Sequence, residues 1–183
     1  MPRKRTDQPV AAIDTRASLL DFADAVAVTD APEAATPAAP PLHLVTFMLD
    51  REDFGIPIGR VREVLRVGDI TRVPEAPPHI RGVTSVRGRI LPVVELRTRL
   101  GLSPLGEPGT RARIVVVEAH GRVLGLIVDA VNQVVNVPAD SVLAPPGEVL
   151  SAQTDYVTGI GRLDARLIIL LDLDRALLLS EAA

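Results

Sequence analysis

His79 to Leu96, HIRGVTSVRGRILPVVEL, reads as two short strands joined by the tight corner Val86-Arg87-Gly88-Arg89. The second arm, Ile90-Leu91-Pro92-Val93-Val94, is apolar at every position, which predicts a strand with protein on both faces rather than one face in water. Arg87 and Arg89 stand out as charges at the turn. The rest of the chain repeats this unit, packs against it or precedes it.

The unit occurs twice. Offset by 70 positions, GIPIGRVREVLRV (55–67) matches GLIVDAVNQVVNV (125–137) without gaps and keeps Gly55/Gly125, Val61/Val131, Val64/Val134 and Val67/Val137 identical. Offset by 77 positions, 80–100 matches 157–177 and pairs Gly82 with Gly159, Arg89 with Arg166, Leu96 with Leu173 and Leu100 with Leu177. Two units of about five strands and a short helix each predict an all-β fold with short helices, built as two small antiparallel barrels that leave few exposed sheet edges. The apolar runs Ile90–Val94 and Leu167–Leu171 then face their own barrel on one side and the other barrel on the other. The two halves should share one core, with neither stable alone.

Composition supports a β core and excludes several functions. The 183 residues are 47% hydrophobic, enough to bury a sizeable core, yet Phe22, Phe47, Phe54 and Tyr156 are the only aromatics. Val, Leu, Ile and Ala must therefore fill the interior, which favours short β-branched strands. A net charge of −3 and so few rings offer neither a basic footprint nor a stacking platform for nucleic acid. The absence of cysteine removes disulfides, thiolate catalysis and Cys-ligated zinc. Neither a signal-peptide core nor ~18 consecutive apolar residues is found, so a cytoplasmic protein without direct membrane insertion is expected.

Residues 1–41 differ in composition, being rich in Ala, Pro, Asp and Thr, and read as a disordered tethering extension. Within it, 16–28 (RASLLDFADAVAV) can form a short docking helix. From Leu42, LHLVTFMLD and FGIPI form a hairpin around a turn at Arg51-Glu52-Asp53. Val61, Val64 and Leu65 follow at helical spacing, although their β-branched content also permits a strand. DITRV (69–73) reads as a further strand stopped by Pro74, Pro77 and Pro78, and ELRTRLGL (95–102) as a short helix ending at glycine. The Pro/Gly-rich 103–109 separates a first barrel of about 42–102 from a second of about 110–179.

No catalytic constellation emerges. His43, His79 and His120 are scattered without an i, i+4 partner, so no metal site is expected. Ser85 lacks the Gly-x-Ser-x-Gly setting of a nucleophile elbow, and neither a dinucleotide nor a phosphate-loop fingerprint is present, so no cofactor is expected. The informative charges are Glu63 and Arg87. Where the repeat keeps its apolar and glycine positions, these two become Gln133 and Asp164, as a partner-facing surface would. A binding face is predicted, with Val61 and Val64 as anchors and charges setting partner choice. Glu63 and Arg87 are expected to form a surface ion pair that shapes the corner.

VREVLRVGDITRVPEAPPHIRGVTSVRGRILPVVELRTRLGL, with RVLGLIVDAVNQVVNVPAD and YVTGIGRLDARLIILLDLDRAL, closely resembles the CheW coupling proteins of bacterial chemotaxis. The resemblance covers about 42–179. It implies two five-stranded SH3-like barrels around a shared core, no catalysis, and an adaptor that links the cytoplasmic tips of chemoreceptors to the regulatory domain of the histidine kinase CheA in receptor arrays. The nearest alternative keeps the fold in a non-flagellar chemosensory pathway. The family's Val-x-Glu falls on Val61 and Glu63, and its Gly-Val-x-x-x-Arg-Gly on Gly82, Val83, Arg87 and Gly88. Val131 and Val134 match positions used in receptor and kinase contacts. Ser85 and Val86 depart from the usual Asn-Leu before Arg-Gly.

Overall fold

The computed structural model describes residues 39–147 and 154–178. The 16–28 helix and nearly all of the 1–41 extension lie outside these residues. The elements follow the expected hairpins: β1 (Leu42–Leu49), β2 (Glu52–Pro57), β3 (Val61–Arg66), β4 (Ile80–Val86), β5 (Arg89–Glu95), α1 (Leu96–Arg99), β6 (Arg113–Ala119), β7 (Arg122–Val128), β8 (Ala130–Val137), β9 (Val142–Leu143), β10 (Val157–Leu163), β11 (Arg166–Leu171) and α2 (Leu173–Ala176).

Three local readings change. GRVREVLRV is strand β3, because its half-buried and exposed positions alternate with period two along the edge of a sheet. DITRV forms no strand and makes only the bridge Thr71–Val83. The first turn lies at Asp50-Arg51, with Asp50 at φ +58, and Glu52 and Asp53 already belong to β2.

The strands form a six-stranded sheet, ordered β8-β1-β2-β11-β10-β9, and a five-stranded sheet, ordered β3-β6-β7-β5-β4. Neither sheet is one half of the chain. The β1–β2 hairpin pairs with β8 and β11, and the β6–β7 hairpin pairs with β3 and β5, so 42–102 and 110–179 each contribute to both sheets. The cause lies in the connections. A single 3-10 turn, Ile58–Arg60, separates β2 from β3, and Asp129 alone separates β7 from β8, so each hairpin runs directly into a strand of the other sheet.

The main core joins the two sheets. Phe47, Phe54 and Ile56 from the first meet Val94, Val115, Val117 and Leu126 from the second, with Leu96, Leu173 and Leu177 from the helices. Phe47 and Phe54 stack with ring centres 6.2 Å apart. Each sheet also encloses a smaller cluster, around Leu44, Val135 and Ile168 in one and around Leu91, Val93 and Val116 in the other. Strand β6 explains the run of valines: Val115 and Val117 face the shared core, while Ile114 and Val116 face the cluster of their own sheet. The same double cover, expected throughout Ile90–Val94 and Leu167–Leu171, fails at the turn-side ends. Ile90 is 74% and Leu167 62% exposed, and Pro92 is exposed too. The hairpin tips reach beyond the core that covers their bases.

Helices α1 and α2 latch the hairpin tips. Arg97 binds both carboxylate oxygens of Asp129, whose Oδ2 also accepts the Asp50 N–H at 2.7 Å in the β1–β2 turn. At the equivalent place, Asp174 accepts the His120 N–H at 3.0 Å and pairs with Arg60 at 2.7 Å. The Asp129 hydrogen bond raises the Arg97 pKa, and the His120 N–H is the first cause that lowers the Asp174 pKa.

Candidate functional site

Among the described residues strand β3 is an edge of its sheet, paired only with β6. The ladder with β6 carries a bulge between Val61 and Glu63, which puts these two residues on opposite faces of the sheet. Val61, opposite Val117, is half-buried and packs on the main core, Glu63, opposite Val116, stands at the rim of a groove over the sheet's own cluster, and Val64, opposite Val115, shares the face of Val61 but is 42% exposed. Val61 therefore seats the strand, while Val64 is available to a partner.

Glu63 and Arg87 come together. Arg87 Nη2 lies 2.9 Å from Glu63 Oε2, so the corner after β4 is tied across to β3, a strand at the opposite edge of the sheet order. The Arg87 side chain is 81% exposed and that of Glu63 24%. Arg87 and Gly88 take φ +48 and +77, the two left-handed positions of a two-residue hairpin turn. Glycine is well suited to the second, and the turn projects Arg87 outward. Val86, Arg89, Leu91, Val116 and Val123 complete a groove of about 650 Å³ beside the ion pair. The groove has an apolar floor of Leu91, Val116 and Val123 and a paired charge at its rim.

Gly82 belongs to the scaffold beneath this corner. It is buried, with φ +148, and a Cβ there would lie 2.2 Å from the Thr71 carbonyl oxygen. Two backbone bonds of 2.8 Å between Thr71 and Val83 hold that approach.

The second corner is built differently. Asp164, the counterpart of Arg87, is exposed and has no ion pair among the described residues. Gln133, the counterpart of Glu63, engages Thr46 through its backbone, whose carbonyl accepts the Thr46 hydroxyl at 2.9 Å. The base of this corner is instead fixed by Arg166, which donates to Asp53 at 2.7 and 3.0 Å, and by Asn132, which donates to Asp53 at 2.7 Å. Arg166 was visible as the repeat partner of Arg89, but Asp53 was not, because its repeat position holds Val123. Val131 packs on the main core and Val134 is 55% exposed on β8, the edge of the other sheet. The sequence-derived residues thus fall on edge strand β3 (Val61, Glu63, Val64) and the β4–β5 turn (Arg87) of one sheet, and on edge strand β8 (Val131, Val134) of the other.

No group of three or more His, Asp or Glu that could hold a metal ion occurs among the described residues. No helix among them is long and apolar enough to cross a membrane. His43 lies on β1, His120 in the β6–β7 turn, and His79 before β4, where burial first and the Arg99 charge second lower its pKa.

Residues 43–181 match the family model of the CheW-like domain. The chain is 32% identical over 141 residues to chemotaxis protein CheW of Klebsiella aerogenes, covering 77% of this chain and 84% of that protein. It is 36% identical over 120 residues to protein PilI of Pseudomonas aeruginosa, covering 63% of this chain and 65% of that one. The crystal structure of the scaffolding protein TtCheW from Thermoanaerobacter tengcongensis superposes with a TM-score of 0.70 at 36% identity, covering 76% of this chain and 94% of its own.

Proposed function

The chain belongs to the CheW-like domain family, and from that premise we propose that it is a non-catalytic adaptor coupling chemoreceptors to a CheA-type histidine kinase, with the Glu63–Arg87 corner as a docking element. The supporting observation is the ion pair itself, placed beside exposed Val64 and an open groove. An exposed pair adds only ~0–1 kcal/mol to stability, so its worth lies in orientation and partner choice. Val134 and Val131 on β8 serve a second contact, giving an adaptor one edge for each partner. The partners are the cytoplasmic tip of a chemoreceptor and the regulatory domain of the kinase, and recruitment places the protein at membrane-associated receptor arrays. Small edge patches of this kind give modest, reversible affinity.

The test is co-purification of the chain with a CheA-type kinase and a receptor cytoplasmic fragment. Arg87→Asp is expected to weaken capture of at least one of them while the fold persists. Unchanged capture of both removes the corner from the site. Failure of the unaltered chain to capture either removes the adaptor reading. The similarity to PilI favours a second reading, the same adaptor role in a non-flagellar chemosensory pathway. Identifying which kinase and receptors co-purify from the native cell separates the two.

A further inference from the structure

Arg66 and Arg113 are direct cross-strand partners in the β3–β6 ladder. Like charges at opposed positions of a sheet repel, and such a pair needs a compensating anion. None is supplied among the described residues. Among the described residues Arg66 has no hydrogen bond or ion pair, and Arg113 Nη1 donates only to the carbonyls of Thr110 and Ala112, at 2.9 and 2.7 Å. Arg72, also without a side-chain partner among the described residues, and Arg81 join them in lining a pocket of about 600 Å³, with Asp69 and Glu107 completing the charged lining.

The wall of this pocket is anchored from inside the fold. Glu95, 4% exposed, accepts the Leu105 N–H through one carboxylate oxygen and Arg81 through the other at 3.2 Å. Arg81 also donates to the Gly106 carbonyl. A buried carboxylate thus holds the 103–109 segment, neutralises Arg81 and leaves the other three guanidinium groups without a carboxylate among the described residues. Asp69 and Glu107 have no ion pair among the described residues, so they do not satisfy the arginines. Guanidinium forks match the oxygens of phosphate, and the two carboxylates disfavour an extended polyanion.

We propose that this pocket binds a small phosphate-type oxyanion, through Arg66, Arg72 and Arg113. The source is either inorganic phosphate or the phosphate of a small metabolite such as a nucleoside monophosphate. The site uses none of the docking residues and stands apart from the adaptor reading.

The test titrates the full chain with inorganic phosphate, and separately with AMP, against chloride at matched ionic strength, following amide NMR shifts of Gly68, Gly109 and Thr110. Saturable shifts are expected. Arg66→Gln and Arg72→Gln should each weaken binding about tenfold, whereas Arg162→Gln, an exposed arginine on β10 with no partner, should leave it unchanged. In phosphate-free buffer Arg66→Gln should also raise Tm, because it relieves the repulsion with Arg113, and a given phosphate concentration should raise it less than it raises that of the unaltered chain. AMP binding tighter than phosphate identifies a metabolite, and equal binding identifies the ion; both support the site. Shifts no larger than with chloride, or equal losses in all three variants, overturn it.

Discussion

Arg97 and Asp174 hold the same place in the two repeats and clamp equivalent hairpin tips with opposite charge. Arg97, on α1, binds Asp129 and stands 3.6 Å from Asp50 in the β1–β2 turn, while Asp174, on α2, holds the His120 N–H and Arg60. Asp50 and His120 are themselves repeat partners. One backbone plan is thus kept with inverted chemistry, so the two ends of the molecule are equivalent in shape and different in charge.

The two latches should differ in strength. Arg97 and Asp129 side chains are 15% and 17% exposed, so Arg97→Ala leaves a largely buried carboxylate without its cation. A loss of about 2–4 kcal/mol is expected in urea unfolding. Arg60 is 44% exposed, and Arg60→Ala should cost less than ~1 kcal/mol. Equal losses in the two variants would remove burial as the cause.

Gly82→Ala should be among the more damaging small substitutions. The added methyl would meet the Thr71 carbonyl oxygen at 2.2 Å, with the backbone at φ +148. Relief requires parting the Thr71–Val83 bridge, and a loss of ~3 kcal/mol or more is expected in urea unfolding. Gly59→Ala, with nothing within 4 Å, serves as the control and should change stability by less than ~1 kcal/mol.

Stability should fall between neutral and mildly acidic pH through His79. Burial and then Arg99 lower its pKa from 6.5, and its Nε2 has no hydrogen-bond partner among the described residues. The unfolded chain therefore takes up the proton first. With this base depressed in the fold, its contribution is favourable above about pH 6.5, declines as pH drops toward the folded-state pKa, and levels off below it. His79→Gln should flatten that decline when urea midpoints are compared at about pH 7.5 and about pH 5.5. An unchanged slope would assign the decline to other groups.

The repeat was legible because its glycines and valines mark backbone and core positions that sequence alignment preserves. The two corners and the Glu63–Arg87 pair followed from it, since both charges break the repeat in places that it otherwise keeps. The exchange of hairpins between sheets was not legible. It turns on the short link at Ile58–Arg60 and on Asp129, and no composition signal separates a bend that keeps a strand in its sheet from one that changes it. The spacing of Val61, Val64 and Leu65 fits a helix as well as a strand, and only the ladder with β6 decides. Asp53 escaped notice because its partners, Asn132 and Arg166, are brought to it only by the fold.

Hairpin exchange makes a specific demand on the two halves of the chain. If 1–108 and 109–183 are produced separately, the first carries β1–β2 without β8 and β11, and β3 and β5 without the β6–β7 hairpin between them. The second carries the complementary vacancies. Each fragment would expose the main-core faces of its own strands, including Phe47 and Ile56 in one and Val115 and Leu126 in the other. Neither should show cooperative unfolding alone, since a core divided this way leaves too little burial to offset chain entropy. Mixed together, they should form a one-to-one complex whose circular dichroism approaches that of the intact chain, with a concentration-dependent midpoint. Cooperative unfolding of either fragment by itself would show that a half-chain can build its own sheet, and the shared core would then not be what joins the repeats.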